Sequence, residues 1–149
     1  MKACELMDKD LTAIFCQDNI ERFLMVCQRS GYSALPVVDE NYKLIGYLSE
    51  STVIKISLPG YLSMMENSAF IPDSTQFIKG LKKVLDHPVS EFISGKPFKV
   101  YVDDTATHVA DLMIRNKLKM IPVVDKTNTL VGKIRRITLL WRSAKGDID

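Results

Sequence analysis

The sequence predicts an α+β fold made of two copies of one βαββα unit, with a helical insertion between them. Three observations carry this. Ala34-Leu35-Pro36-Val37-Val38-Asp39 returns as Met120-Ile121-Pro122-Val123-Val124-Asp125, 86 residues on. The same spacing, without a gap, takes Glu5 to Glu91, Asp18 to Asp104, Arg29 to Arg115, Leu44 to Leu130, Gly46 to Gly132 and Thr52 to Thr138. Self-similarity at a fixed period marks a duplicated structural unit. Finally, short β-branched runs and helical periodicity follow one another in the same order in each copy.

Thr12 to Cys16 and Phe98 to Val102 read as the first strands, being rich in β-branched and aromatic residues. Asp18 stands three residues before Glu21 in a capping-box arrangement, and Asp104 stands in the same place in the second copy, so a helix is expected after each. The first helix gathers Ile20, Phe23, Leu24 and Cys27 on one face and ends near Gly31, which suits a left-handed C-cap. The second gathers Ala106, Val109, Ala110 and Met113. Leu35 to Val38 and Leu44 to Leu48 flank a polar five-residue connection and predict an antiparallel hairpin, repeated by Ile121 to Val124 and Leu130 to Ile134. Ser51 to Leu58 and Ile137 to Ala144 are apolar segments long enough for closing helices. The first unit is placed at residues 1–56, the insertion at 57–87 and the second unit at 88–149. The insertion contains Pro59-Gly60, Met64-Met65 and Pro72-Asp73, then a helical pattern with Phe77, Leu81 and Val84 or Leu85 on one face and Asp73 or Ser74 as cap.

A chain of 149 residues, 46% hydrophobic, can fill the cores of two small packed halves. No apolar run approaches the roughly 20 residues needed to span a bilayer, and no signal-like start is present, so the expectation is a soluble, cytoplasmic protein. Cys4, Cys16 and Cys27 are odd in number and lack a CxxC spacing, which points to reduced, buried thiols. Charge is divided unevenly. Residues 1–54 carry 5 Lys/Arg against 8 Asp/Glu, whereas residues 96–149 carry 11 against 6, so the second half is the better host for an anionic ligand. No aromatic-interleaved basic motif speaks for nucleic acid. His87 and His108 have no partners at ligand-forming spacing, and no nucleophile-base set or phosphate loop occurs, so the expected function is non-catalytic.

A duplicated βαββα unit with a Pro-Val-Val-Asp strand and a following glycine resembles the CBS-domain family, whose paired form is often called a Bateman module. The resemblance covers about residues 2–56 and 88–145. The insertion, with a Ser-Thr segment leading into a helix, looks like that of small stand-alone plant CBS proteins. The resemblance implies two units packed sheet against sheet around a pseudo-twofold axis, two clefts that receive AMP, ADP, ATP, S-adenosylmethionine or a related adenosyl ligand, and a disc-shaped homodimer. No cofactor, membrane or nucleic acid is implied, and the regulated partner is left open.

The resemblance also assigns residues. Adenine falls to Thr12, Ala13 and Ile14 with Ser33, Ala34, Leu35 and Pro36 in the first unit. Its counterparts are Phe98 and Val100 with Lys119, Met120, Ile121 and Pro122. Ribose and phosphate fall to a Gly-x-x-Thr/Ser-x-x-Asp pattern entering the last helix. Here the sequence departs from the family. The first unit keeps a hydroxyl at Ser49 but has Thr52 in the aspartate's place, and the second has Arg135 and Thr138. Losing that carboxylate forfeits roughly 1.5–3 kcal/mol of ribose binding. Arg135, with Lys119, Lys133 or Arg136 nearby, offsets the loss by pairing with phosphates. A competing expectation is a dimerisation or protein-interaction module that has lost nucleotide binding.

Overall fold

The computed structural model describes residues 1–60, 75–93 and 96–148. The first unit runs β1 (Ile14–Phe15), α2 (Ile20–Ser30), β2 (Ala34–Val38), β3 (Leu44–Ser49) and α3 (Glu50–Ser57), preceded by a short α1 (Ala3–Leu6). After α4 (Gln76–Val84) and a 3-10 turn (Val89–Phe92), the second unit repeats the order. It comprises β4 (Val100–Tyr101), α5 (Ala106–Arg115), β5 (Met120–Val124), β6 (Leu130–Arg135) and α6 (Arg136–Lys145). Each unit has a three-stranded sheet, its first strand parallel and its last antiparallel to the central one. The α+β class and the βαββα order are therefore observed.

The repeat reaches down to the backbone. Gly31 and Lys117 both have positive φ, as do Tyr42 and Asn128, each pair 86 residues apart. A lysine in the left-handed region is strained where glycine is not. The two hairpins meet through Leu44 N–H donating to Asn128 C=O and Leu130 N–H to Tyr42 C=O, a reciprocal pair that places a pseudo-twofold axis between the halves.

Three expectations need correction. The first strands are two residues long, because only Ile14–Phe15 and Val100–Tyr101 pair with the central strands. The helix caps fall one residue later than predicted. Asn19 Oδ1 accepts from Arg22 N–H and Thr105 Oγ1 from His108 N–H. Asp18 and Asp104 instead turn back to accept from Phe15 N–H and Tyr101 N–H, closing the turn that leaves each first strand. Cys4 is exposed, not buried. The Met64-Met65 and Pro72-Asp73 positions and the Asp73 or Ser74 cap lie outside the described residues. Of the rest of that segment, Leu81, Val84 and Leu85 pack on the first core while Phe77 remains exposed.

The start of each repeat crosses over. Ala3 and Leu6 of α1 are buried in the second unit's core with Val100, Val109, Ile121 and Ile134, and Val89 is buried in the first unit's core with Ile14, Ile20 and Leu35. Hydrogen bonds match the exchange. Ala3 N–H donates to Asp104 C=O as Val89 N–H does to Asp18 C=O, and Cys4 N–H to Val102 C=O as Ser90 N–H does to Cys16 C=O. Gly132 and Gly46 make room for this. A β-carbon at Gly132 would come 2.6 Å from Asp8 C=O, and one at Gly46 would come 2.7 Å from Ile93 Cδ1.

Candidate functional site

Two clefts open between the halves and are related by the repeat. The second cleft, about 280 Å³, is lined by Gly31, Tyr32, Ser33 and Ala34 with Lys119, Met120, Arg135, Arg136 and Ile137. The first, about 240 Å³, is lined by Lys117, Leu118, Lys119, Ser33 and Ala34 with Tyr47, Ser49, Glu50 and Ser51. Adding 86 to the lower numbers converts most of one lining into the other. Their chemistry differs sharply.

The second cleft is built over a polar cluster. The α1 crossover brings Asp8 alongside β6, where Asp8 and Lys133 exchange main-chain hydrogen bonds. The Asp8 carboxylate faces Arg135 Nη2 at 3.4 Å, the Thr138 hydroxyl at 3.4 Å and Arg142 Nη2 at 2.9 Å. Arg142 also donates to the carbonyls of Leu6 and Met7, fixing the crossover. Strand alternation turns Lys133 inward from β6. It is fully buried, and its Nζ donates to Thr12 C=O at 2.5 Å and lies 4.4 Å from the centre of the Tyr32 ring. The Tyr32 hydroxyl donates to Asp10 Oδ2 at 2.5 Å, while Asp10 Oδ1 accepts from both N–H and Oγ1 of Thr12.

These contacts set the ionisation of the cluster. The Thr12 and Tyr32 hydroxyls hold the Asp10 carboxyl down at about 2. Burial, with the Asp10 hydrogen bond, pushes the Tyr32 phenol up to about 12. Burial pulls the Lys133 ammonium down to about 8, against the opposing attraction of Asp10 and Asp8.

The positions related by 86 residues hold Tyr47 for Lys133, Leu118 for Tyr32, Phe98 for Thr12 and Ser49 for Arg135. Burial pushes the Tyr47 phenol up to about 12. Ser49 caps α3, its Oγ accepting from Thr52 N–H at 3.4 Å and lying 3.2 Å from Thr52 Oγ1. By contrast, Arg135 at the start of α6 makes no side-chain cap bond, which leaves the amides of the first α6 turn open toward the second cleft.

Of the residues assigned from sequence, Ser33, Ala34, Lys119, Met120 and Arg135 line the second cleft, and Ser33, Ala34, Lys119 and Ser49 line the first. Thr138 stands beside the second on Asp8, and Thr12 reaches the same cluster through its carbonyl. Thr52 lies beside the first cleft on Ser49. Ile14, Leu35, Val100 and Ile121 turn away, and their side chains fill the two cores. Pro36 and Pro122 are buried in the central strands, and Ala13 and Phe98 line neither cleft. Lys133 is a buried interior group, not a surface cation at the cleft mouth. Asp8, Asp10, Tyr32 and Arg142 escaped the sequence reading. The acid excess of the first half was the available signal, since two of those acids cross to meet the basic second half.

A family model described as CBS domain matches residues 3–58 and 89–144. The chain is 27% identical over 151 residues to the uncharacterized protein MJ1426 of Methanocaldococcus jannaschii, covering 91% of this chain and 87% of that one. It is 25% identical to MJ1004 of the same organism, covering 97% of this chain but only 58% of the other. Among solved structures, CBSX2 of Arabidopsis thaliana superposes with a TM-score of 0.77 at 18% identity, over 97% of this chain and 94% of that one. A structure of CBSX2 in complex with AMP gives 0.73 at 18% identity, over 97% and 96%.

Proposed function

The chain belongs to the CBS-domain family, with two copies in tandem, and we propose that it is a non-catalytic, cytoplasmic regulatory module. Its effector is an adenine nucleotide or a related adenosyl ligand, such as AMP, ADP, ATP or S-adenosylmethionine, held in the second cleft. The observation that carries this reading is the uncapped start of α6. Its open amides share the cleft with Arg135, Arg136 and Lys119, and a helix N-terminus flanked by cations suits a phosphate. AMP bound to CBSX2 shows that a relative of this fold receives such a ligand.

A phosphate would draw Arg135 from Asp8, which rides on the segment that crosses between the units. Ligand binding would thereby be felt at the junction of the halves, where a partner protein reads it. Arg135→Ala tests the assignment by isothermal titration. AMP binding weakens about tenfold, the scale of one lost ionic hydrogen bond, while adenosine binding is unchanged. Equal loss for both removes the phosphate role.

A second reading, a dimerisation or protein-interaction module, is favoured by the face of α6. Ile137, Leu140 and Trp141 are 65%, 64% and 63% exposed at helical spacing, and neither unit carries the ribose carboxylate. Native mass spectrometry of freshly purified protein separates the two. A co-purifying nucleotide appears as added mass, whereas a bare homodimer supports the second.

A further inference from the structure

We propose that the first eight residues form a strap that an anion in the second cleft lifts off the second unit, because Asp8 and the anion compete for Arg135. This rests on the ligand-sensing reading for the anion's identity, but not for the strap itself.

One carboxylate latches the strap. Asp8 Oδ1 accepts from Arg142 Nη2 at 2.9 Å, whereas Asp8 Oδ2 faces Arg135 Nη2 and the Thr138 hydroxyl, each at 3.4 Å. A charge-assisted hydrogen bond to a carboxylate normally measures about 2.7–2.9 Å. The Arg135 contact is thus the loose side of the latch, and Arg135 lines the cleft while Arg142 does not. A phosphate on Arg135 takes that cation from Asp8 and sets a second negative charge against the carboxylate. Both effects favour lifting. Linkage makes the coupling reciprocal, so a docked strap also opposes the anion.

Elsewhere the strap is held largely through its backbone. Its helix α1 is four residues long and buries Ala3 and Leu6, and the amides of Ala3, Cys4 and Asp8 donate to the carbonyls of Asp104, Val102 and Lys133. Lys9, Asp10 and Leu11, which join it to β1, are exposed and belong to no helix or strand. A short segment with few buried side chains opens at the low end of the local stability range. By position the first unit has Ser94, Ser49, Thr52 and Ile56 for Asp8, Arg135, Thr138 and Arg142. All four are uncharged, so an ionic latch belongs to the second unit alone.

The test follows hydrogen exchange by mass spectrometry in the peptide 1–8 of the full chain, with AMP or inorganic pyrophosphate added as probe. The same probes are titrated into the parent, Asp8→Asn and Gly132→Ala. The last keeps every charge but drives a β-carbon to 2.6 Å from Asp8 C=O, which pushes the strap outward. A bound probe is expected to speed exchange in 1–8 about fivefold, the scale of one partly exposed ion pair, without changing 34–38. Both variants should bind the probe about fivefold more tightly than the parent. A probe that binds the parent without speeding exchange in 1–8 overturns the strap. Tighter binding by Asp8→Asn, with Gly132→Ala unchanged, marks simple removal of a negative charge and also overturns it. Faster exchange with pyrophosphate, when AMP does not bind, upholds the strap and counts against the adenosyl reading instead. If neither probe binds or moves the peptide, the proposed competition is refuted.

Discussion

Lys133→Met isolates the buried ammonium at the junction of the halves. Burial lowers its pKa from 10.5 to about 8, so between those values the folded chain has released a proton that the unfolded chain still holds. Stability therefore rises with pH across this window, because the unfolded state binds more protons. For a single group, the shift corresponds to about 2 kcal/mol gained between pH 7 and pH 9.5. Cys27 and Tyr47 oppose it, since burial raises both, and their contribution falls as pH climbs through 11 and 12. Both proteins carry those groups, so they cancel in the difference. Urea unfolding of parent and Lys133→Met at pH 7 and pH 9.5 should show the parent gaining about 2 kcal/mol on the variant. An unchanged difference at the two pH values would refute the placement of Lys133 away from water.

Two glycine substitutions test the packing. Gly80→Ala would gain about 1 kcal/mol of helix propensity in an open helix, but here the added β-carbon meets Ser57 C=O at 2.0 Å between α4 and α3. A net loss of at least about 1 kcal/mol follows, read as a fall in Tm of about 2–4 °C. Gly132→Ala meets the main-chain carbonyl of Asp8, whereas Gly46→Ala meets the movable end of Ile93. Thermal melts should therefore show the larger drop for Gly132→Ala, and equal drops would contradict the crossover at Asp8.

The repeat made the fold legible, because one period fixed the order of elements and the hairpins, whereas of the four positive-φ residues only Gly31 was expected from its type. It did not reveal the crossover. A four-residue segment such as Ala3–Leu6 buries apolar side chains equally well on either copy, and only the tertiary hydrogen bonds to Val102 and Asp104 decide. Arg135, Lys119 and Met120 were found through the family resemblance, Arg135 at the entry to the last helix and Lys119 and Met120 at the entry to the central strand of the second unit. Asp8 and Asp10 were not, since they precede β1 in irregular chain with no periodicity to betray them. Lys133 was recognised as a cation, but its burial follows from the strand's facing and not from its residue type.

On the proposed function, this tandem pair binds an adenosyl effector in its second cleft. Isothermal titration of the purified chain with AMP, ADP, ATP and S-adenosylmethionine tests it directly. Saturable binding of at least one, weakened by Arg135→Ala if the ligand carries phosphate, is the predicted result. No heat from any of the four at millimolar concentration would contradict it.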